Sequence, residues 1–143
     1  MKKQFRILAL VLALSMVLMT GCGKKTYTTA EEWYSSNPAA SAFMTAMVEA
    51  EDESGNMTFG ISGNTVVYGL TMDEAVFGQD AETDTALKEY FDAAFDQETA
   101  TYQQIITELS EACGIAASEL SVRIEIFNPG ETTPGYTKTF TAQ

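Results

Sequence analysis

The chain has 143 residues, 45% of them hydrophobic, enough for one compact domain and too few for two. Its formal charge is −12, and the part beyond residue 26 holds 3 cations against 20 acids, or −17. So acidic a body repels phosphate backbones, which excludes nucleic acid as a partner, and a sequence with no histidine lacks the usual general base and the commonest zinc ligand.

The first residues read differently from the rest. "MKKQFR" is a basic head, the stretch from Ile7 to Met19 is apolar apart from Ser15, and "TGCG" then supplies small residues. As a helix the apolar run reaches only about 20 Å, short of the roughly 30 Å of a bilayer's hydrocarbon core, so it is expected to be an export signal and not a permanent span. Met19-Thr20-Gly21-Cys22, preceded by Leu18, resembles the lipobox of bacterial lipoproteins. The resemblance implies a diacylglyceryl group on the Cys22 thiol, with Met19, Thr20 and Gly21 recognised by a signal peptidase that cuts before it. Two acyl chains give stable attachment where one is marginal. The expected division is a signal peptide over 1–21, an acylated cysteine and short basic tether over 22–28, and a single domain over 29–143. That domain would sit on the extracytoplasmic face of the cell membrane.

Within the domain, Thr29 stands three residues before Glu32, the spacing at which a hydroxyl and a carboxylate satisfy helix-start amides, and this predicts a first turn or short helix. Trp33 and Tyr34 follow, as core or lid residues or as an exposed anchor for a partner. Asn37 before Pro38 caps a second helix near 38–51, with Ala39, Phe43, Met47 and Ala50 at helical spacing and Met44 and Val48 beside them. Met57, Phe59 and Ile61 then alternate before Gly63-Asn64, and Val66, Tyr68, Leu70 and Met72 alternate after it. This predicts a type II′ hairpin pairing Ser62 with Thr65, Ile61 with Val66, Phe59 with Tyr68 and Met57 with Leu70.

A long helix is expected from between 81 and 85 to about 112, carried by Leu87, Phe91, Phe95, Tyr102, Ile105, Ile106 and Leu109 and stopped at Gly114. Val122, Ile124 and Ile126 predict a third strand, "NPGETTPG" a turn, and Tyr136 and Phe140 a fourth strand. Lys138 falls on that strand's apolar face, either snorkelling at an edge or turned outward by a bulge. The expected fold class is α+β, helix-hairpin-helix-hairpin (αββαββ), with an antiparallel sheet of about four strands packed against a long helix. Either edge of each hairpin could join them.

The mature chain as a whole resembles small uncharacterised lipoproteins of Gram-positive Firmicutes that carry a domain of unknown function. The lipobox, "TAEEWYSSNP", the Gly63-Asn64 hairpin, the acidic helix and "IEIFNPGETTPGYTKTF" carry that resemblance. It implies location and fold, not chemistry.

For chemistry the sequence offers little. Cys113, the only other cysteine, reads as a small buried hydrophobe closing the long helix. "EAEDESGN" and "DAETD" fail the twelve-residue calcium loop, because the sixth position is Met57 counted from Asp52 and Thr85 counted from Asp80; they read as turn and helix cap. No catalytic residue, metal site or cofactor is assigned. Two classes of function remain: a non-enzymatic envelope module that binds a protein, peptide or glycan or senses the exterior through a sheet face or edge, and an envelope hydrolase whose carboxylates converge only in the fold.

Overall fold

Helices begin in this chain where a short polar side chain can take over an orphan amide. The computed structural model describes residues 27–52 and 54–143, so Met19, Thr20, Gly21, Cys22 and most of the expected tether lie outside it. Helix α1 (Ala30–Ser35) starts at Thr29, whose Oγ1 accepts from the Glu32 amide at 3.1 Å. Glu32 reaches back one residue further than a standard capping box, accepting from the Thr28 amide at 2.9 Å. Helix α2 (Pro38–Glu51) starts at Asn37, with proline at its first position. Its buried stripe is Ala40 and Met44, while Phe43 is 41% exposed. The stripe expected from Ala39 and Phe43 is thus rotated by one residue, because alanine and apolar residues surround this helix and periodicity alone does not fix its inner side.

Strands β1 (Met57–Ser62) and β2 (Thr65–Thr71) form the predicted hairpin in the predicted register, from Ser62 opposite Thr65 to Met57 opposite Leu70. Gly63 has φ 58°, and no non-glycine residue among those described has positive φ, which is the type II′ pattern. The turn also anchors α1. Gly63 accepts from the Glu31 amide at 2.9 Å and donates to the Glu31 carboxylate at 2.6 Å, and Asn64 Oδ1 accepts from the Ala30 amide at 3.0 Å.

The expected long helix is two: α3 (Ala81–Asp96) and α4 (Thr99–Cys113). At the break, the Glu98 amide bonds back to the Phe95 carbonyl at 3.0 Å, and Thr99 Oγ1 donates to the Asp96 carbonyl at 2.9 Å. Gly114, with φ 75°, ends α4 in the left-handed conformation. A 3-10 turn (Ala117–Glu119) leads into β3 (Ser121–Phe127), and β4 (Tyr136–Thr141) closes the chain's second hairpin.

The sheet order is β1-β2-β3-β4. Both hairpins are antiparallel, but β2 and β3 run parallel, with Thr65 opposite Ser121 and Thr71 opposite Phe127. The sheet is therefore mixed, not antiparallel as expected. The reason lies in the connection: α3 and α4 return the chain to the end where β2 began, so β3 sets out beside Thr65 and travels the same way.

One face of the sheet, including Val66, Tyr68, Val122, Ile124 and Ile126, is buried with Trp33, Met44, Phe91, Phe95, Ile105 and Leu109 from the helices in a single core. On the opposite face every side chain is half-buried or exposed, and only Gly69, which has none, is buried. All the helices thus cover one side. The segment 72–80 is fastened to the end of β3 by Asn128, which is 4% exposed: its Oδ1 accepts from the Val76 and Phe77 amides at 2.9 and 3.0 Å, and its Nδ2 donates to the Phe77 carbonyl at 3.0 Å.

Candidate functional site

Strand β1 has a neighbour on one side only. Ser62 and Thr65 close a two-residue turn and are a hydrogen-bonded pair, so the pairing alternates back along the strand. Gly60, Thr58 and Asn56 turn their backbone groups toward β2; the Thr71 amide bonds to the Asn56 carbonyl at 2.7 Å in keeping with that phase. Phe59 and Ile61 consequently turn their N–H and C=O groups away from the sheet. Met57 faces the same way, but its N–H is taken by Asp52 Oδ2 at 2.5 Å.

Beside this edge lies a cleft of about 260 Å³, lined by Tyr34, Met44, Thr45, Val48, Glu49, Thr58 and Phe59. Thr58 and Phe59 are successive residues whose side chains leave opposite faces of the sheet, so the cleft opens at the strand's margin. Two of its lining rings, Tyr34 and Phe59, meet edge to face at 5.7 Å, and Phe59 meets the buried Tyr68 in the same way at 5.2 Å. The two aromatic residues singled out in sequence part company here. Trp33 is 3% exposed and belongs to the core, whereas Tyr34 is half-buried and lines the cleft. Sequence alone pointed to Tyr34; it did not show that Met44, Val48 and Phe59 would meet it.

The uncovered sheet face is a second surface. It presents threonine and serine hydroxyls, including Thr58, Thr65, Ser121, Thr137 and Thr139, around Arg123 and Glu125. Arg123 Nε stands 2.8 Å from Glu125 Oε1, a close ion pair too bent to count as a hydrogen bond. Gly69 leaves room there for Thr58 Oγ1 on the neighbouring strand, which would have to rotate away from a Cβ at that position.

Carboxylates converge at one place outside the cleft. Lys138 points inward from β4, 17% exposed, and its Nζ lies 2.7 Å from Asp96 and 3.2 Å from Asp92 on α3, while the Tyr136 hydroxyl donates to Asp92 at 2.8 Å. Lys138 therefore snorkels, with no bulge turning it out. The Tyr136 and Lys138 hydrogen bonds hold the Asp92 carboxyl below the usual range, the opposite of what a general acid needs at neutral pH. The group is built as a clamp between helix and strand.

Acids in the two clusters have structural partners. Asp80 caps α3, accepting from the Thr83 amide and hydroxyl, both at 2.8 Å, and this keeps its pKa low. Asp52 is 5% exposed; burial pushes its pKa up, and bonds from Ser54 and the Met57 amide outweigh that and hold it down. Cys113 is buried and free, and burial pushes its thiol pKa up, which disfavours a nucleophilic thiolate. No group of three or more metal-ligating side chains converges among the described residues, and no helix among them is long and apolar enough to cross a membrane.

These features define an α+β domain with a repeated helix-helix-hairpin rhythm, one open sheet face and one open edge beside a cleft. A family model described as a domain of unknown function, DUF4854, matches residues 30–140, and the chain belongs to that family. No curated protein and no solved structure matches the chain.

Proposed function

We propose that the protein is a lipid-anchored lipoprotein of the cell envelope, held on the extracytoplasmic face through Cys22, and that its domain is a non-enzymatic binding or sensing module. The location rests on the order of basic head, apolar run and Met19-Thr20-Gly21-Cys22, and on the likeness to Gram-positive lipoproteins that this order carries. The observation that carries a binding role is the open edge of β1 running beside a cleft that combines Tyr34, Met44, Val48 and Phe59 with Glu49. Lys24 and Lys25 in the tether are attracted to an anionic membrane surface, while the −17 of the following residues is repelled by it, so the domain is presented outward.

Mass spectrometry of the protein isolated from membranes should find Cys22 as the first residue, carrying a diacylglyceryl group. Cys22→Ser should lose the lipid and leave the precursor poorly processed. A Cys22→Ser protein that is processed and membrane-bound like the wild type overturns the proposal.

A further inference from the structure

We infer that the β1 edge and its cleft take an extended, cationic peptide segment, which joins the sheet as a fifth strand and places an apolar side chain in the cleft. The inference rests on the binding reading above and gives it a partner class.

Three independent features point there. The first is the contrast between the two edges of the sheet. Natural sheets protect their margins with charges, prolines or inward-pointing lysines, and β4 has such a device in Lys138. Strand β1, "MTFGIS", has no charge and no proline, and Phe59 and Ile61 hold their N–H and C=O groups outward at the spacing an added strand uses.

The second is shape. Side chains of an added strand alternate between faces, and the one leaning toward the helices would meet Tyr34, Met44, Val48 and Phe59. Asp52 occupies the Met57 amide and so marks where such a strand must stop.

The third is charge. Residues 27–87 contain no lysine or arginine at all, while the exposed Glu49 stands at the cleft. Of the domain's three cations, Arg123 is paired with Glu125 and Lys138 with Asp92 and Asp96. The lining of the cleft thus holds a carboxylate and no cation. It favours a basic partner and opposes pairing with a second copy of this acidic chain.

The test uses the full chain in detergent and a fluorescent peptide alternating lysine with valine around a central phenylalanine. Two further probes are the same peptide with glutamate for lysine, and the lysine peptide N-methylated on the amides that would face β1. The lysine peptide should bind at least about tenfold more tightly than either. Binding should slow hydrogen exchange at the Phe59 and Ile61 amides. Thr45→Trp, which fills the cleft from an exposed position, and Glu49→Lys should each weaken binding at least about tenfold, with Glu89→Lys on α3 as the unaffected control. Equal binding of the N-methylated peptide would mean adsorption by charge alone and would overturn the inference. So would protection at β4 instead of β1, wild-type affinity in both cleft variants, or exchange at Phe59 that slows with protein concentration when no peptide is present. Acylation of Cys22 is read separately, so failure of the strand-addition idea is distinct from failure of the envelope location.

Discussion

Asn128 shows how much one polar residue can hold. It satisfies two backbone amides and a carbonyl in a segment that has no helix or strand of its own, and both bonds to Phe77 are in the interior. Asn128→Ala would leave the buried Phe77 amide and carbonyl without this partner, and the expected loss is about 2–3 kcal/mol in urea unfolding, where a surface asparagine would cost little. Phe77, which Asn128 positions, packs against Gly135, where a Cβ would overlap its ring. This residue-level joint is why the chain can leave β2, cross the end of the sheet and still enter α3 at a defined angle.

At the level of elements, α3 depends on its first turn. Asp80 accepts from Thr83 twice, and Asp84 accepts from the Gly78 amide at 2.9 Å. Asp80→Ala should lower stability in the same unfolding measurement, with Asp80→Asn losing less because it still accepts from the Thr83 amide. Caps and the first hairpin were legible in sequence because both are local: Thr29, Asn37, Asp80 and Gly63-Asn64 each act within a few residues. The division between α3 and α4 was not. Phe95 and Tyr102 lie seven residues apart, so the apolar pattern stays in phase across the break, and only Asp96, Thr99 and Thr101, weaker helix formers, hint at it. Nor could the parallel join of β2 and β3 be read, since it depends on how a two-helix connection folds back. The cleft was half visible: Tyr34 could be named, but its partners come from α2 and β1 and meet only through tertiary packing.

For the whole molecule, charge governs stability. Asp52, Asp80 and Asp92 all have pKa values below the ordinary 3.8, so at acid pH the unfolded chain binds protons first. Their contribution is full above that value and is lost as pH falls through the lower folded values. Tyr136 and Lys138 are shifted up: burial, then its bond to Asp92, raises the tyrosine, and for the lysine the Asp96 and Asp92 contacts outweigh burial. Their contribution is full below about pH 10 and declines above it. Between these limits the net −17 of the residues beyond 26 opposes compaction. Added sodium chloride at neutral pH should therefore raise the melting temperature, and acidification through the ordinary 3.8 should lower it as the three aspartates lose their contribution; calorimetry across pH and salt checks both.

Thr65 meets Ser121 across 56 positions of chain, and this seam runs down the middle of the sheet. Hairpins can zip quickly at either end, whereas the seam must wait for α3 and α4 to bring distant strands together. A polypeptide emerging amino-end first would carry an unfinished half with both margins of its ribbon bare until the last strands arrive. Shortening the chain before Ser121 would then yield no smaller stable protein, only a sticky fragment.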